Sequence, residues 1–94
     1  MIGKNKVDYQ RNEDRNLKLV EEYIDSTYGA HYSGDVQVTD IWDSMGIASE
    51  AYRSNIVKYA VRATKKGSKA DHRKDVMKII HYSLLLLNEM DKND

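Results

Sequence analysis

The sequence contains no cysteine and no proline. Without thiols neither a disulfide framework nor a Cys-based zinc site can form, and a reducing compartment fits best. Three histidines alone make a weak case for a metal, and no cofactor is called for. No apolar run approaches the roughly 18 residues of a membrane span. The N-terminus, with Lys4, Lys6, Asp8 and Arg11, lacks the apolar core of a signal peptide. A cytoplasmic protein with no membrane partner is expected. The 94 residues suffice for one domain with a thin core, so support from further copies of the chain, as a homo-oligomer (dimer or tetramer), is expected as well.

Formal net charge is zero, yet the charges are unevenly spread. Residues 52–78 hold nine Lys or Arg against two acids, Asp71 and Asp75, while the rest of the chain holds six bases against thirteen acids. One basic face is implied. Such a face can attract phosphates, and it can equally serve solubility on the wet side of a helical hairpin.

With no proline, punctuation falls to five glycines, at positions 3, 29, 34, 46 and 67. The first eleven residues are polar and unpatterned and are expected to form a loose tail before a single helical domain over 12–90. Leu17, Val20, Ile24 and Tyr28 recur at helical spacing, predicting a helix from about Asn12 to Tyr28 that stops at Gly29. A loop with a possible extended piece at 36–38 follows. Thr39 is placed to cap a short helix, "DIWDSM", ending at Gly46. Ser49 is placed to cap a helix over about 50–65, closed by Gly67. Asp71 or Ser68 starts a last helix to about Glu89. The predicted class is all-α: a bundle of about four helices ending in an antiparallel helical hairpin.

"SNIVKYAVRATKKG", residues 54–67, holds the most suggestive pattern. At about 100° per residue Asn55, Lys58, Tyr59, Arg62 and Lys66 fall on one face, with Ile56, Val57, Ala60, Val61 and Ala63 on the opposite arc as the expected core stripe. The polar face is either a solvated surface or a site. Asn and Tyr are poorer helix formers than an idle wet face would use. An amide, a phenol, a guanidinium and ammonium groups on successive turns suit nucleotide recognition: Arg and Lys for phosphate, Tyr for stacking, Asn for a base edge or sugar. On the last helix Val76, Ile79, Ile80, Leu84, Leu86, Leu87 and Met90 form a wide apolar arc bordered by Asp75, Lys78 and Tyr82. Asp75 is either a salt-bridge partner of Arg62 or a ligand group. Leu85 falls outside the arc. Trp42 suits a core anchor, His31 and Tyr32 sit in a Gly-flanked loop where binding residues are often placed, and His72 and His81 are taken as surface residues.

"HYSG" (31–34), "DIWDSMGI" (40–47), "SNIVKYAVRATKKG" (54–67) and "DVMKIIHY" (75–82), in this order and spacing, resemble a small domain family of unknown function that is abundant in bacteriophages and often labelled "nucleotide kinase". The resemblance covers about 55 residues. By position, the family's row matches Asn55, Lys58, Tyr59, Arg62 and Lys66, and its second line matches Asp75, Lys78 and Tyr82. Ser54 stands where the family commonly has Gly and Ile79 where it has Ala, which implies added bulk at a helix contact. The kinase label finds no phosphate-cradling Gly-rich loop here; "KKGSK" is not one. The chain is also similar in kind to phage sponge proteins that bind cyclic-nucleotide alarm signals of host immunity, which implies action in the host cytoplasm during infection.

Three functions follow as expectations. The first is a non-catalytic sponge for a small phosphorylated nucleotide, of the cyclic dinucleotide or cyclic ADP-ribose type, held by Asn55, Lys58, Tyr59, Arg62, Lys66, Lys78 and Tyr82 with His31 and Tyr32 from the loop. The second is an interaction protein whose basic face clamps a host protein or nucleic acid. The third, an all-α nucleotide pyrophosphohydrolase, needs paired carboxylates on facing helices for magnesium, and the sequence offers no such Glu-x-x-Glu pairing.

Overall fold

A computed structural model describes residues 7–31, 37–65 and 67–92, with backbone only for 29–31. The predicted class is observed: four helices, α1 (Glu13–His31), α2 (Val38–Met45), α3 (Ala48–Arg62) and α4 (Lys69–Lys92), and no strand among the described residues. None of these helices is long and apolar enough to cross a membrane. The chain divides into two compact units, Met1–Ser33 and Gly34–Asp94.

In the first unit, Asn12 adopts a left-handed conformation (φ 59°) that its short polar side chain tolerates. Its carbonyl accepts from the Asn16 amide at 2.9 Å to open α1. Glu13 and Asp14 then meet the positive end of the helix dipole. Val20 and Thr27, seven residues apart, are buried. Gly29 lies inside α1 rather than ending it, so the helix outruns the expected stop.

In the second unit α2 begins one residue before Thr39, and the cap is Gln37, whose backbone amide donates to Asp40 Oδ2 at 3.1 Å. Val38 is helical, which removes it from the extended piece considered at 36–38. Gly46 closes α2 as expected. At φ 72° it sends its amide to the Asp43 carbonyl, and the Ile47 amide reaches the Trp42 carbonyl at 3.0 Å, a double bond pattern that satisfies the last carbonyls. α3 starts at Ala48, ahead of Ser49, with Ile47 in the cap position and no side-chain cap bond. At α4, Ser68 and Asp71 cap reciprocally. The Ser68 amide and Oγ donate to Asp71 Oδ2 at 3.0 and 3.1 Å, and the Asp71 amide donates to Ser68 Oγ at 3.2 Å. Gly67, at φ 100°, makes the turn. A Cβ there would stand 3.0 Å from Asp71 Oδ2 and 3.1 Å from Asp71 Cβ.

α3 and α4 pack antiparallel, and their seam shifts the expected inside of α3, keeping Ile56 and Ala63 but exchanging Val57, Ala60 and Val61 for Asn55 and Tyr59. The covered positions are Ala48, Tyr52, Asn55, Ile56, Tyr59 and Ala63, while Val57 and Val61, the centre of the expected core stripe, are 62% and 54% exposed. Tyrosine explains the shift: its ring carries more apolar area than a valine side chain while its hydroxyl remains at the edge. Ser54, expected at a helix contact, is exposed. On α4 the same sorting occurs. Asp75 is buried and Ile79, Tyr82, Leu85, Leu86 and Glu89 are half-covered, whereas Val76, Leu84, Leu87 and Met90 of the expected apolar arc are exposed. Leu85 therefore belongs to the covered side, contrary to its predicted placement. His72 and His81 are half-buried rather than free on the surface, and burial pushes the His81 pKa down.

Candidate functional site

Antiparallel packing brings the last residue of α3 opposite the second turn of α4. There Arg62 grips Asp75 with both prongs: Nε donates to Oδ2 at 3.2 Å and Nη2 to Oδ1 at 2.7 Å. The Asp75 side chain is 4% exposed and that of Arg62 50%. The hydrogen bond from Arg62 holds the Asp75 pKa below the usual carboxylate range against the opposing effect of burial, and the same bond raises that of Arg62. Of the two roles left open for Asp75, the structure places it as the guanidinium's partner.

One turn along the seam, Tyr59 lies parallel to Tyr82, with ring centroids 6.1 Å apart and planes 12° apart. Three cations surround the Tyr59 ring: Lys58 Nζ at 4.5 Å, Arg62 Cζ at 4.8 Å and Lys78 Nζ at 4.8 Å from its centroid. Tyr82 also meets Tyr52 at 6.1 Å, and Tyr52 meets the Trp42 edge at 5.9 Å and 81°. An aromatic column thus runs from α2 through α3 to α4. Trp42 anchors its end while remaining half-exposed. Asn55 turns its amide back to its own helix, donating to the Ala51 carbonyl at 2.9 Å.

Beside this column opens a cleft of about 410 Å³ lined by Arg62, Gly67, Asp71, Lys74, Asp75 and Lys78. Its two carboxylates already have partners within the chain, buried Asp75 in Arg62 and exposed Asp71 in Ser68. The Ser68 amide, then its hydroxyl, draws the Asp71 pKa down. Lys74 and Lys78, four apart on α4, add positive charge on the same wall. The arrangement can hold an anion by charge and by the outer side of a guanidinium whose inner side is fixed.

Of the residues singled out in the sequence, Arg62 and Lys78 reach the cleft, Lys58, Tyr59 and Tyr82 form the adjoining cation and ring cluster, and Asn55 lies in the seam. Lys66, Tyr32 and the side chain of His31 lie outside the described residues. Lys74, Asp71 and Gly67 also line the cleft, though only helix-boundary roles were read for the last two. The Ser-x-x-Asp box at 68–71 and the Lys pair at 74 and 78 are the signals that mark them. Among the described residues no three His, Asp or Glu gather closely enough to hold a metal ion.

No curated protein and no solved structure matches the chain. The model of one protein family, DUF3310, described as proteins of unknown function, matches residues 26–83, a span that contains α2, α3, the cleft and the first two-thirds of α4. The chain belongs to the DUF3310 family.

Proposed function

We propose that this protein binds a small phosphorylated nucleotide without turning it over, in the manner of a phage sponge that removes a cyclic-nucleotide alarm signal from the infected host. The observation that carries this reading is the cleft in which Arg62, half-exposed and fixed on one side by Asp75, shares a wall with Lys74 and Lys78. Its volume of about 410 Å³ lies in the range of small-molecule sites. Preorganisation matters because a guanidinium already held by a carboxylate loses little freedom when a phosphate arrives.

In this reading phosphate oxygens meet Arg62, Lys74 and Lys78. Tyr59 makes its ring contacts within the protein, so it and Tyr82 support Arg62 from beside the cleft while bases lie toward the mouth. Asn55 locks the helix that presents Arg62. Lys58 adds to the local potential. Nothing in this set supplies a general base aimed at a reacting atom, and binding alone is the proposed mechanism.

Isothermal titration calorimetry with a panel of cyclic dinucleotides and cyclic ADP-ribose compounds tests the proposal. At least one saturable titration is expected, and Lys78→Glu is expected to weaken it by about 10- to 100-fold. Heats indistinguishable from dilution across the panel would defeat it. A second reading, a basic surface for nucleic acid, draws on the exposure of Arg53, Lys65, Lys69 and Arg73. It is distinguished by affinity that grows with duplex length and falls steeply with salt.

A further inference from the structure

α4 presents three distinct faces. One carries Asp75, Ile79, Tyr82 and Leu86 and forms the seam with α3. A second, flanking the first, carries Asp71, Lys74 and Lys78 beside the cleft. The third is a strip in which Lys69, Arg73, Val76, Ile80, Ser83, Leu84, Leu87 and Asp91 fall within an arc of about 100°. All but Ile80 of these are exposed, Val76 and Leu84 at 46% and Leu87 at 56%. Within it, positions 73, 76, 80, 83 and 87 follow the alternating three-and-four spacing of a helix that pairs with another helix, and Met90 at its border continues it.

The strip is also self-complementary. It begins with cations, Lys69 and Arg73, and ends with an anion, Asp91. Arg73 and Asp91 stand nine residues either side of Tyr82, Ile80 and Leu84 two either side, and Val76 and Leu87 six before and five after. Ser83 is the smallest side chain near the midpoint, and its hydroxyl is turned to its own helix, donating to the Ile79 carbonyl at 2.8 Å. A helix laid antiparallel on a copy of itself about that midpoint sets Arg73 against Asp91 twice, Ile80 against Leu84 twice, and Val76 against Leu87 twice. The small Ser83 lets the axes approach. Parallel pairing would instead set Arg73 against Arg73 and Asp91 against Asp91.

We infer that this strip of α4 is a homodimer interface: a second copy of the chain packs on it antiparallel, along about 27 Å of helix, with a two-fold axis near Ser83. Because the strip lies on a different side of α4 from the cleft, the dimer leaves Arg62, Lys74 and Lys78 open. The inference therefore stands apart from the nucleotide proposal, and either can fail alone.

The absence of native cysteine makes the geometry directly readable. Ser83→Cys, mildly oxidised, is expected to cross-link to a covalent dimer. Arg73→Cys alone is expected not to, while Arg73→Cys mixed with Asp91→Cys is expected to yield a mixed dimer. In sedimentation or light scattering, Leu87→Glu is expected to raise the dimer dissociation constant by about tenfold or more. Arg73→Glu and Asp91→Lys are each expected to raise it several-fold, and the two together to recover it. Helical circular dichroism of Leu87→Glu should match the parent, since Leu87 is exposed. A parent chain that stays monomeric up to about 100 µM overturns the inference. So does cross-linking of Arg73→Cys to itself in preference to Asp91→Cys, or a charge-swapped pair no better than either single change.

Discussion

The two ends of the α3–α4 hairpin are held by different chemistry. At the turn, order comes from charge and capping: Arg62 on Asp75, Ser68 and Asp71 on each other, and Gly67 folded over the Asp71 side chain. At the open end it comes from rings, with Tyr52 buried between Trp42 and Tyr82. A hairpin whose buried hydrophobic side chains among the described residues are two, Ala48 and Tyr52, cannot rest on an aliphatic core. Aromatics supply burial where the chain is open. Ion pairing and caps fix geometry where the cleft lies.

Substitutions sharpen this contrast. The largest effect is expected at the ring end: Tyr52→Ala empties the most enclosed large side chain of the hairpin and should cost about 3 kcal/mol in thermal or denaturant unfolding. A loss no greater than that of a surface substitution would show that the column does not hold the fold. At the turn, Arg62→Gln strands a buried carboxylate. Its melting temperature should therefore fall further than that of the Arg62→Gln/Asp75→Asn double variant, a signature of a buried pair. Equal melting temperatures would remove the clamp as an element of stability.

The same pair sets an acid response. The folded-state pKa of Asp75 lies below its unfolded value, so its contribution is complete above the unfolded pKa and is lost as pH falls through the folded one. Asp75→Asn should flatten that acid limb of the stability curve, while Tyr52→Ala should lower the curve without changing its shape. Gly67→Ala follows at about 1 kcal/mol, from its left-handed backbone and its contact with Asp71. The smallest effect is expected at Lys92→Gln. Lys92 is exposed, 3.0 Å from Glu89 three residues back on its own helix and 3.9 Å from Asp43, and solvent-exposed pairs of this kind contribute little, so no resolvable change in melting temperature is expected.

Helix number and class were legible from periodicity and from Gly46, whose αL backbone ends α2 where the sequence places it. The Arg62–Asp75 pairing was one of two roles the sequence left open, because antiparallel helices bring the end of one to the start of the next. The inside of α3 was legible at Ile56 and Ala63 and not at its centre. A hydrophobicity pattern sets Val57 and Val61 against Tyr59 and Asn55, but packing against α4 selects ring area over branched aliphatics, and an amide bonded to its own backbone can be covered at little cost. Lys74 escaped notice because a cleft arises from two helices and a turn, and no single helix shows it.

α2 offers a last contrast. Both of its ends are hydrogen-bonded, yet none of its residues is buried. Beyond those termini its eight residues are tied to the hairpin chiefly through Trp42 on Tyr52, and its amides are expected to exchange with deuterium faster than those of α3 and α4. A segment held to its host by one indole can loosen before the helices it covers, which puts the first opening of this fold at α2.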